Sequence, residues 1–120
     1  MDEKDLEYFR QYLMDWLGEL LKRAKNTVII LNSQDDKSAD LLDRATADSV
    51  REYTLRVSNR ESSLIDKIRQ SLNDIENGEY GICEECGRDI ALGRLQARPV
   101  ARHCIRCKTN LEAQEKLTGT

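Results

Sequence analysis

The residues with the clearest claim on chemistry are four cysteines, written C-E-E-C at Cys83 and Cys86 and C-I-R-C at Cys104 and Cys107. Two C-x2-C units about 15 to 20 residues apart have the spacing of a tetrahedral zinc site, because each unit folds as a tight turn presenting two thiolates to one ion. With four sulfurs on one Zn²⁺ no coordination position remains for a substrate water, so the predicted site is structural and not catalytic. Gly87 follows Cys86 and supplies the backbone freedom such a turn needs, and Gly81 loosens the approach to it. His103 adjoins Cys104, but four sulfurs already close the shell. Two disulfides are the competing use of the same cysteines. They suit a small secreted domain, and the opening MDEKDLEYFR is charged and lacks the apolar core of a signal peptide. A thiol redox role is a further alternative, and it requires an exposed cysteine of low pKa, which sealed zinc opposes.

The elements that must position this site follow from composition. In 120 residues, 34% are charged, 5% are aromatic and one is proline, which suits long solvated helices better than a thick globular core. No apolar run approaches the roughly 18 residues needed to span a bilayer, so a soluble, cytoplasmic protein with no membrane partner is expected. A net charge of -3 argues against a nonspecific grip on nucleic-acid phosphates.

From Glu3 to Leu31, Leu6, Phe9, Leu13, Trp16, Leu17, Leu20, Ala24, Val28 and Leu31 recur in steps that put them on one face of a helix. The polar stretch Asn32 to Ala39 then reads as a helix-to-helix turn. A second helix is predicted from about Leu42 or Asp43 to Asn77, with Val50, Val57 and Leu64 on one seam and Ile68 and Ile75 on its neighbour. Asn77 and Gly78 stop it. Thr54, Glu61 and Ser71 interrupt the seam, which favours an intrachain antiparallel pair over a homodimeric zipper. A short last helix is expected from Ile105 to about Leu117. The fold class is therefore all-α: a long antiparallel coiled-coil hairpin over 1–78 with an acidic tip near 32–45, then a four-cysteine zinc module and C-terminal helix over 79–120.

Beyond the cysteines, D-L-L-D-R-A-T at Asp40 to Thr46, N-R-E at Asn59 to Glu61, Y-G-I-C-E-E-C-G at Tyr80 to Gly87, R-L-Q-A-R-P at Arg94 to Pro99 and C-I-R-C-K at Cys104 to Lys108 occur in order. Together they resemble the DksA/TraR family. The resemblance implies a non-enzymatic transcription regulator that binds RNA polymerase directly, inserting its hairpin into the secondary channel while the zinc-bearing end grips the rim. It implies that Asp40, Asp43 and Ala45 form the tip motif facing the polymerase active site, and that Arg60 contacts polymerase. It further implies a guanosine tetraphosphate site at that interface using Leu64, Lys67, Arg98 and Lys108. Little chain precedes the first helix compared with longer members, so a reduced globular end is expected.

Simpler readings stand beside these. Asp40 and Asp43 lie at the start of the second helix, where aspartate is a preferred cap and favours the dipole. Arg98 and Lys108, with Arg88, Arg94, Arg102 and Arg106, could compensate the formal charge near -2 of a zinc tetrathiolate. The rival function is a DNA-binding zinc ribbon with a coiled-coil dimerisation segment. It requires a basic groove-reading helix, whereas the last helix mixes Arg106 and Lys108 with Glu112 and Glu115. No sequence-specific DNA binding is expected.

Overall fold

The computed structural model describes residues 1–34 and 41–118, and side chains outside 33–46 within that range. Four helices occur among the described residues: α1 (Glu3–Gln34), α2 (Leu41–Glu76), α3 (Leu92–Ala97) and α4 (Ile105–Thr118). The extended pairing there is a single antiparallel bridge between Ile82 and Asp89. No helix among these residues is long and apolar enough to cross a membrane.

The chain forms two compact units, Met14–Arg69 and a second built from Met1–Leu13 with Gln70–Thr120. The first is a pair of helices running in opposite directions. Arg23 pairs with Glu61 at 3.7 Å, and Arg51 donates to the Leu31 carbonyl at 3.3 Å, so residues later in α1 meet residues earlier in α2. That second contact has a cause. The last carbonyls of a helix lack intrahelical donors, α1 has no basic residue in its last turn, and Arg51 supplies both the proton and the positive charge from across the pair.

Among the described residues of this unit, Leu20, Ile65 and Ile68 are the buried apolar ones. The seam on α2 follows Ala47, Arg51, Thr54, Val57, Ser58, Glu61 and Leu64, each half-buried, so Val57 and Leu64 lie where the apolar pattern put them. Val50 is 44% exposed and Val28 56% exposed, so the expected inward positions of these two valines are not observed. At these two places the neighbouring residues Thr27 on α1 and Arg51 on α2 are the half-buried ones. Long polar side chains fill such positions by laying their carbon stems on the partner helix.

In the other unit, Phe9 and Leu13 of α1 are buried with Ser71, Tyr80, Ile90 and Leu95, and the Phe9 and Tyr80 rings lie 5.7 Å apart. The end of α2 is a Schellman stop. Glu79 N–H donates to the Asp74 carbonyl at 2.8 Å and Gly78 N–H to Ile75 at 3.3 Å, with Gly78 left-handed at φ +72°. Glycine adopts that conformation without the Cβ clash other residues incur.

Candidate metal centre

The first cysteine pair is shaped by a backbone turn. Gly87 N–H donates to the Cys83 carbonyl at 3.0 Å, Cys83 N–H donates to the Arg88 carbonyl at 2.8 Å, and Gly87 takes φ +71° to close the loop. Just outside it, Ile90 N–H donates to Gly81 at 2.7 Å, which with the Ile82–Asp89 bridge makes a small two-stranded knuckle. The second pair is shaped by a helix start. Cys104 precedes α4, and its sulfur accepts from the Cys107 N–H at 3.5 Å, the position a capping oxygen occupies at other helices. A thiolate there also meets the positive end of the helix dipole.

The four sulfurs all lie within 4.8 Å of one another. Zinc–sulfur bonds of about 2.3 Å arranged tetrahedrally separate the sulfurs by about 3.8 Å. Cys86 Sγ and Cys104 Sγ lie 3.8 Å apart, the edge of such a tetrahedron. Electrostatics agree with this geometry. Burial works against ionisation of Cys83, but N–H groups of Cys86, Cys104 and Glu85 outweigh it and bring its thiol down to about 6. The Cys104 thiol is also lowered, chiefly by the Cys107 backbone. The Cys107 thiol is pushed up to about 12, first by its hydrogen bond with Cys104 and then by burial. Four crowded sulfurs thus cannot all ionise by themselves, and a divalent cation that displaces the remaining protons completes them.

Charged and polar side chains brace the two pairs. Arg102 reaches Glu84 at 2.5 Å and Asp74 at 3.4 Å, and its carbonyl accepts from Glu84 N–H at 3.0 Å. One residue therefore ties the first cysteine turn, the approach to the second and the last turns of α2. Burial raises the Asp74 carboxyl above its ordinary value, and Arg102 offsets part of that rise. Arg94 Nε donates to the His103 carbonyl at 2.9 Å, and His103 Nε2 lies 3.7 Å from Glu84, outside the sulfur cluster. The Tyr80 hydroxyl donates to the Pro99 carbonyl at 2.7 Å, and burial raises its pKa.

Two features of this unit escaped the sequence reading. Helix α3 is six residues long, has no side-chain cap at Ala91, and is held by fully buried Leu95. It ends where Arg98 becomes extended before Pro99, as the residue ahead of a proline must. The Asp74–Arg102–Glu84 bracket spans residues too far apart in the chain for any motif to announce it.

The other residues singled out in the sequence fall as follows. Asp40 lies outside the described residues, as do the side chains of Asp43 and Ala45, whose backbone is within α2. Arg60 is exposed on α2. Leu64, half-buried, and Lys67, exposed, belong to the helical-pair unit. Arg98 is exposed at the end of α3 and Lys108 half-buried in the first turn of α4, both in the cysteine-bearing unit.

Residues 5–75 match the family described as DnaK suppressor protein DksA, N-terminal domain, and residues 78–113 match the prokaryotic dksA/traR C4-type zinc finger. The chain belongs to the DksA/TraR family. It is similar to the RNA polymerase-binding transcription factor DksA of Caulobacter vibrioides, at 40% identity across 98% of this chain and 82% of that one. Its likeness to the factor of the same name from Escherichia coli is 38% identity across 97% and 77%. Among solved structures, transcription factor DksA2 from Pseudomonas aeruginosa superposes with a TM-score of 0.89 at 35% identity, covering 97% of this chain and 89% of that one. The family is one of transcription regulators and not of enzymes. Its C4 zinc finger and the sulfur geometry agree: Cys83, Cys86, Cys104 and Cys107 are positioned to hold one structural zinc.

Proposed function

We propose that this protein regulates transcription by docking directly on RNA polymerase. What carries the reading is similarity along nearly the whole chain to factors named for binding that enzyme. A closed four-sulfur centre also fits a protein that performs no chemistry of its own. In this reading the segment between α1 and α2 enters the secondary channel, through which nucleotides reach the catalytic Mg²⁺, and the protein works in the cytoplasm. Asp40 and Asp43 bring carboxylates to that point, with Ala45 beside them. A carboxylate accepts charge-assisted hydrogen bonds and is a hard ligand for Mg²⁺ or its waters, so it can act on the polymerase active site without bonding covalently to anything. Arg60 on α2 contacts the enzyme. Guanosine tetraphosphate is held at the interface, its phosphates by Lys67, Arg98 and Lys108 and its apolar side by Leu64. Arginine offers phosphate a forked contact and lysine a compact charge.

Asparagine caps a helix about as well as aspartate, so Asp43→Asn separates charge from capping. The expected variant binds polymerase like the wild type but no longer alters transcription in a purified system. Normal regulation by both Asp43→Asn and Asp40→Asn would remove the role given to tip charge. Arg98→Ala and Lys108→Ala should in turn lose the alarmone-dependent part of regulation while keeping the rest.

A further inference from the structure

A cleft of about 350 Å³ in the cysteine-bearing unit is used neither by the metal centre nor by the residues assigned above. Leu6, Tyr80 and Ile90 floor it. Three large apolar side chains left in solvent, Met1, Ile82 and Leu92, converge on it at 48%, 40% and 41% exposure. Single exposed apolar residues are ordinary, but several gathered around one concavity mark a place where another molecule sits. Gly81 keeps the wall bare: at φ +80°, a Cβ there would come within 2.6 Å of the Met1 methyl. The ionisable side chains of the lining besides Tyr80 are Asp5 and Asp89, and no lysine or arginine lines it. Neither carboxylate is paired with a cation among the described residues.

We infer that this cleft docks a segment of RNA polymerase that presents an apolar side chain next to lysine or arginine. The inference rests on the polymerase-binding reading and adds to it a surface and the chemistry of the segment received there. The apolar side chain displaces water from the floor, and the neighbouring cation meets the carboxylates of Asp5 and Asp89. A second copy of the chain is disfavoured as occupant, because the net charge of -3 sets an acidic surface against another.

Leu92 opens α3 with its side chain partly in solvent, so Leu92→Glu and Leu92→Lys both remove the apolar contact with little strain on the fold. Unchanged zinc content and melting temperature check this. Affinity for purified RNA polymerase is then measured at low and high salt. Both variants are expected to bind at least about fivefold more weakly than wild type, as loss of an anchoring contact does. Leu92→Lys should be the weaker of the two at low salt, with the difference closing as salt screens the charges. A photo-crosslinker at Ile82 should capture a polymerase segment with an apolar residue beside lysine or arginine. Binding within about twofold of wild type by either variant, or weaker binding by Leu92→Glu than by Leu92→Lys, overturns the inference while polymerase binding stands. Failure of the wild type to bind polymerase defeats the functional reading and this inference with it. A dimer that dissolves on Leu92→Glu substitution gives the cleft to a second copy and overturns the inference as well.

Discussion

The two compact units of this protein are held together by different means. In Met14–Arg69 the long helices bury few large apolar side chains, and their seam carries Arg51, Thr54 and Glu61. Contributions spread along two long helices sum to its stability. The cysteine-bearing unit has short elements, turns that depend on Gly78 and Gly87, and four sulfurs around one point. Its order is concentrated where the metal binds. The contrast teaches that local stability here follows the kind of bond available, distributed where helices are long and centralised where they are short.

The largest expected effect comes from taking the metal away. Structural zinc contributes on the order of 10 kcal/mol to small zinc domains, so chelation or Cys83→Ser should release one zinc per chain. Hydrogen exchange should then rise steeply across 79–107 while 14–69 keeps most of its protection. Equal loss in both units would break the contrast. A smaller effect is expected from Ile68→Ala, a fully buried site in the helical pair. It should cost about 2 to 5 kcal/mol of unfolding free energy, the range for large-to-small core substitutions, and leave zinc affinity unchanged. Chemical denaturation and a competition titration with a chromophoric chelator measure the two quantities separately. Smallest is Arg102→Gln, which removes the bracket to Glu84 and Asp74 but no sulfur. Loss of such outer partners typically weakens metal binding about 10- to 100-fold, and the same titration reads it. An unchanged affinity would mean the sulfurs are organised by their own turns alone.

The cysteine spacing and the two long helices were legible in the sequence because each is a local pattern, a fixed interval in one case and a repeated step of three or four in the other. Gly87 was legible because tight turns need its backbone. The phase of the helical seam was legible at Val57, Leu64 and Ile68, which are covered, but not at Val28 and Val50. Val28 and Val50 fit the apolar pattern and yet face solvent, since which residues meet in a helix pair depends on the surfaces of both helices at once. Helix α3 escaped because six residues are too few to show a period and its capping position is alanine. Arg102 looked like one basic residue among several, and its particular partners, Asp74 and Glu84, exist only after the chain has folded. The roles proposed for Asp40 and Asp43 and for the alarmone residues rest on the family resemblance and not on any local pattern.

The sulfur of Cys104 serves two masters, since it is a ligand of the ion and also the acceptor at the head of α4. That helix buries no side chain completely, and at 14 residues it is near the length where isolated helices in water are only marginally formed. The ion therefore acts as the peg on which the tail is wound: it fixes the sulfur, and the sulfur fixes the first turn. Coiling of the final segment becomes a readout of whether the peg is in place.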